Sequence, residues 1–69
     1  MVEVFTTNID AILLAEQVRN KMQESFPGIR INFDIDDCDH ILRIEGHVFC
    51  VTEILRWLNG QGVVARVLD

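Results

Sequence analysis

Residues 34–40 read Asp-Ile-Asp-Asp-Cys-Asp-His and put four carboxylates, one thiol and one imidazole into seven positions. No other stretch of the chain concentrates donor groups in this way. Two metal chemistries can be tested on the spacing. A calcium loop of the EF-hand type needs oxygen donors at alternating positions, glycine at the sixth and glutamate at the twelfth; counted from Asp34 the sixth is Asp39 and the twelfth Glu45, so the glycine is missing. A structural zinc site closes four nitrogen or sulfur ligands around the ion, and Cys38 with His40 supplies half of them. The alternative to a metal centre is a solvated hairpin, in which Asp side chains bond nearby backbone N–H groups and the charge guards the edge of the preceding strand. The hairpin is the favoured reading, so no metal and no cofactor are expected. A divalent-cation or metal-carrier role for Asp36, Asp37, Cys38, Asp39 and His40 stands as the rival.

The other chemistry-bearing residues are scattered. Cys50 falls near the start of a helical stretch and reads as a small buried hydrophobe. His47 follows Gly46 at the entrance of that helix, where it would cap, and His40 would face inward as the first residue of a strand. Trp57 lies between core positions and should be partly buried. No Ser/His/Asp set, glycine-rich phosphate loop or inward carboxylate pair is present, which argues against an enzyme.

The chain that must position these groups has 69 residues, enough for one domain with a small core. Its hydrophobic content of 49% is that of a folding sequence. A net charge of -5, with six dispersed basic residues, speaks against nucleic acid and against an anionic membrane surface. The opening Met-Val-Glu-Val-Phe-Thr-Thr lacks the basic and apolar regions of a secretory signal, and no run is long enough to span a bilayer, so a cytoplasmic protein with free thiols is expected.

Periodicity gives six elements. Val2 to Phe5 is β-rich, with Val2 and Val4 expected to face inward. Ala11, Leu14, Ala15, Val18, Met22 and Phe26 then form a helical face that Pro27-Gly28 ends. Residues 29–35 alternate strictly between Ile29, Ile31, Phe33, Ile35 and Arg30, Asn32, Asp34, the pattern of a strand with one apolar face. After the acidic turn, Leu42 and Ile44 define a third strand. Val51, Ile54, Leu55 and Leu58 mark a second helix, with Asn59-Gly60 at its left-handed end. Val63, Ala65 and Val67 alternate with Val64, Arg66 and Leu68 as a fourth strand.

A βαββαβ order with right-handed crossovers and a hairpin between strands 2 and 3 predicts an α+β, ferredoxin-like sandwich. Its antiparallel sheet is ordered 4-1-3-2, with two helices on one face. Residues 6–10, 34–40 and 59–62 should then meet at one end of the domain, with Pro27-Gly28 and Gly46-His47 at the other.

In size and element order the whole chain resembles the heavy-metal-associated domain of copper chaperones and metal-transporting ATPases. In that family the loop after strand 1 carries Met-x-Cys-x-x-Cys, whose two thiolates hold a soft cation. With Leu14 and Val18 set as inward helix positions, Thr7 and Asp10 stand where the cysteines would be, and hydroxyl and carboxylate groups are hard donors. Thr7-Asn8-Ile9-Asp10 instead fits a helix-capping box. The family's lysine before strand 4 is replaced by Asn59-Gly60-Gln61-Gly62. The resemblance therefore implies the fold and a divergent member with a degenerate metal site.

The sheet face turned from the helices should carry Glu3, Phe5, Arg30, Asn32, Ile41, Arg43, Glu45, Val64, Arg66 and Leu68. Phe5, Ile41, Val64 and Leu68 would form an apolar patch ringed by charge. Arginine stems often cover such a face. The patch also suits a protein partner or a second copy.

Overall fold

A computed structural model describes residues 1–36 and 38–68. The elements are β1 (Val2–Thr7), α1 (Ile12–Ser25), β2 (Arg30–Asp34), β3 (Ile41–Glu45), α2 (Val51–Gly60) and β4 (Ala65–Val67). They build a small α+β domain whose four strands form one antiparallel sheet ordered β2-β3-β1-β4. That is the expected 4-1-3-2 order read from the other edge, and it is compatible with a ferredoxin-like arrangement.

Cross-strand register assigns every side chain to a face, since directly opposed residues point the same way. One face carries the rows Phe33–Leu42–Phe5–Val67 and Ile31–Ile44–Glu3. Phe5, Ile31, Leu42 and Ile44 from this face are buried in one cluster with Ala15, Val18 and Met22 of α1 and Ile54 and Leu58 of α2. Both helices therefore cover the same side of the sheet.

Strand β1 is placed with the opposite parity to the one its valines suggest. Phe5 is 0% exposed, whereas Val2 is 52% exposed. The cause is its partner: Phe5 stands opposite Leu42, itself fully buried, so the larger aromatic side chain takes the interior and the valines turn out. Burying a phenylalanine removes more apolar area from water than burying a valine, which decides the parity. Glu3 follows Phe5 to the helix side and is half-buried there. Neither Phe5 nor Glu3 belongs to the open face.

Helix α1 also starts later than the capping pattern indicates. Its N-cap is Ala11, with no side-chain cap, because Thr7 is still part of β1. The Thr7 hydroxyl donates to the His40 carbonyl (2.8 Å) and accepts from the Ile9 amide (3.2 Å), so it closes a loop and caps no helix. Ile9 is driven into the core by that turn. Ala15, Val18 and Met22 bury as the spacing predicts, but Leu14 is 43% exposed.

The end of α2 is set by Gly62, whose φ of +80° is left-handed, rather than by Gly60. The Gly62 amide donates to Asn59 O and the Val63 amide to Leu58 O, each at 3.0 Å. This paired closure is a Schellman motif, completed by the burial of Val63 and Leu58 together.

Candidate functional site

Of the three segments expected to meet at one end, residues 6–10 and 34–40 are joined by hydrogen bonds, and residues 6–10 also bond to Val64, just past the third segment, 59–62. The Thr7 amide donates to His40 O at 3.1 Å, the Asn8 amide to Val64 O at 3.1 Å, and the Val64 amide to the Asn8 side-chain carbonyl at 3.0 Å. The acidic hairpin is thereby tied to the end of β1 and to the start of β4. At the opposite end the Gly46 amide donates to Met1 O at 3.0 Å, and a Cβ at Gly46 would crowd Ile29 Cγ2 at 3.0 Å and Phe49 at 3.3 Å.

The hairpin does not assemble a metal centre among the described residues. Asp34, Asp36, Cys38 and Asp39 are exposed, and no three His, Cys, Asp or Glu side chains of the described residues converge as a cation would require. Asp37 lies outside the described residues. His40 sits at φ +49°, a left-handed position that histidine adopts more readily than most residues, and it is half-buried with Nδ1 shielded from solvent. Its carbonyl, rather than its ring, is the group that β1 uses.

Both cysteines are free and exposed. Cys50 was expected inside the second helix and buried; it is the N-cap residue of α2, in extended conformation, so its side chain lies outside the helical stripe. His47 is exposed and does not occupy the cap position. Trp57 is half-buried across the two helices. Its ring meets Phe26 edge to face (centroids 6.2 Å apart, planes at 77°), and its indole N–H donates to Ser25 Oγ at 3.2 Å.

The open sheet face is the surface with the most chemistry to offer. Register places three rows across it: Asp34–Ile41–Thr6–Arg66, then Asn32–Arg43–Val4, then Arg30–Glu45–Val2. The Leu68 amide donates to Val4 O at 2.8 Å, which brings Leu68 beside the middle row. Val64 is 65% exposed and Leu68 42% exposed, while Ile41 is half-buried. Of the four residues expected to form the apolar patch, Ile41, Val64 and Leu68 lie on strands or strand ends of this face and Phe5 does not. Val2 and Val4 take its place, a substitution that follows from the inverted parity of β1.

Charge on this face runs against that of the chain. Three of the six basic residues, Arg30, Arg43 and Arg66, stand on it, with Glu45 and Asp34 as the acids. Arg43 and Glu45 are joined at 3.0 Å, an exposed pair that organises the two side chains more than it stabilises the fold.

No protein-family model, curated protein or solved structure matches this chain. Among the described residues no helix is long and apolar enough to cross a membrane.

Proposed function

We propose that this chain is a small non-enzymatic interaction domain, resembling a heavy-metal-associated domain of ferredoxin-like fold without its thiolate motif, that docks a protein partner on the open face of its sheet. One observation carries the reading: Val2, Val4, Ile41, Val64 and Leu68 share a face with Arg30, Arg43 and Arg66 in a chain of net charge -5. An apolar centre within guanidinium groups suits a partner that offers apolar side chains among carboxylates, since arginine pairs with carboxylates in two-pronged fashion and lends its stem to the apolar contact. The charge difference between this face and the acidic hairpin would also orient the encounter.

The surface grooves support a binding role over catalysis. One of about 520 Å³ lies where Met1, Gly28 and Gly46 meet, and the ionisable side chains lining it are Arg30 and Glu45. No nucleophile stands beside a base there.

A lysate capture with the wild type and with Val64→Glu/Leu68→Glu, each run with and without chelator, tests the proposal. Both positions are exposed, so the variant should keep its fold by circular dichroism. The expected result is a set of proteins held by the wild type, lost with the variant and indifferent to chelator. Equal capture by both forms removes the sheet-face reading, and capture abolished by chelator alone favours a metal-dependent role for the hairpin.

A further inference from the structure

We infer that a second copy of this chain pairs with the first along the free edge of β2, antiparallel about Asn32, to form a two-fold dimer with a continuous eight-stranded sheet. This edge borders the open face and shares Arg30, Asn32 and Asp34 with it, but the pairing needs none of Val2, Val4, Val64 or Leu68.

β2 is an outer strand of the sheet. Among the described residues no backbone group of Arg30–Asp34 bonds to an element other than β3, so one side of the strand presents unpaired amides and carbonyls. Such an edge recruits another strand unless its side chains oppose it. Here they favour it. The strand reads Arg-Ile-Asn-Phe-Asp, and antiparallel pairing about Asn32 sets Arg30 against the second copy's Asp34, Ile31 against its Phe33, and Asn32 against its own equivalent. The flanking Ile29 and Ile35 are matched by the same operation. On either side of the central Asn32 pair charge complements charge and apolar stands opposite apolar, twice over, which is the self-complementarity that a two-fold interface requires.

The charged side chains are free to make their pairs. Arg30 and Asp34 are exposed and, among the described residues, neither joins the ion pair of Arg43 and Glu45 or any other. On the helix side the edge is bordered by a groove of about 200 Å³ whose apolar lining comes from Ile12 and Ala15 of α1 with Phe33 and Ile35. An added strand would bring its own half-buried Phe33 along that border, while Ile31 stays in the core of its own copy. Strand β4, the other edge, behaves differently: it is three residues long, and pairing about its centre would set Arg66 against Arg66. One edge is built to refuse a copy of itself and the other to accept it.

Sedimentation of the full chain over a range of concentrations reads the proposal directly. The 7.9 kDa chain should reach twice that mass as concentration rises. Arg30→Asp sets two pairs of aspartates face to face, and Asp34→Arg sets two pairs of arginines, so each variant alone should raise the dimer dissociation constant at least tenfold. Mixed one to one, the two variants restore opposite charges at both positions and should associate as the wild type does. The double variant in one chain should do the same. Circular dichroism of each variant checks that the exposed substitutions leave the fold intact. A wild type that stays monomeric at millimolar concentration overturns the inference. So does dimerisation unaffected by either substitution, or a mixture that fails to recover. Loss with Arg30→Asp but not with Asp34→Arg overturns the register, because a slip by two residues sets Arg30 against Asp36 and Asp34 against Asn32.

Discussion

Phe5 and its neighbours show how a single side chain chooses the face of a strand. In β2 the apolar residues all fall on one parity, so alternation alone names the buried face, and the buried Ile31 agrees with it. In β1 Val2 and Val4 compete with Phe5 from opposite parities, and the choice is made by Leu42, a residue 37 positions away in the chain that local pattern cannot reach. Phe5→Ala should therefore cost about 3–5 kcal/mol. That equals the net stability, on the order of 3–5 kcal/mol, that a core this small supplies, so the variant should be unfolded at room temperature. Val64→Ala, at an exposed position, should shift the urea midpoint little. Comparable losses from the two substitutions would mean that the β1 register is wrong.

Elements were legible where their signals were local. The six elements, their order and the alternation of β4 follow from spacing, with Val63 buried and Val64 and Leu68 exposed as the pattern requires. Their ends were less legible, because ends are settled by partners. Thr7-Asn8-Ile9-Asp10 has the spacing of a capping box, but the Thr7 hydroxyl is held by the His40 carbonyl across the sheet, and the helix begins only at Ile12. At the end of α2 two glycines compete for the left-handed position, and the bond from Val63 to Leu58 awards it to Gly62. Two alanine substitutions separate them. Gly62→Ala must force a side chain to φ +80° and should cost about 1 kcal/mol or more. Gly60→Ala, in helical conformation with nothing within 4 Å of an added Cβ, should stabilise by about 0.5–1 kcal/mol. Equal effects in thermal melts would contradict the Schellman closure.

At the scale of the whole molecule, the candidate site was only partly readable: Ile41, Val64 and Leu68 were found from alternation, whereas the contribution of Val2 and Val4 needed the register of the sheet. The acidic hairpin drew attention by composition and is used by the fold through a backbone carbonyl. Cys38 and Cys50 are both exposed, and the loop after β1 contains no cysteine. A chromophoric-chelator competition should accordingly find no nanomolar one-to-one site for Cu(I), Zn(II) or Cd(II). Tight binding lost in Cys38→Ser would reinstate the hairpin as a metal carrier.

The contact of Trp57 with Phe26 gives this domain a built-in optical gauge. Trp57 is the chain's single tryptophan, and the chain has no tyrosine, so nearly all emission excited near 295 nm comes from one ring wedged between α1 and α2. Its colour reads whether the helices remain seated on the sheet. Because neither the β2 edge nor the open face includes that ring, fluorescence can follow the integrity of the core while docking or pairing is measured elsewhere on the same molecule.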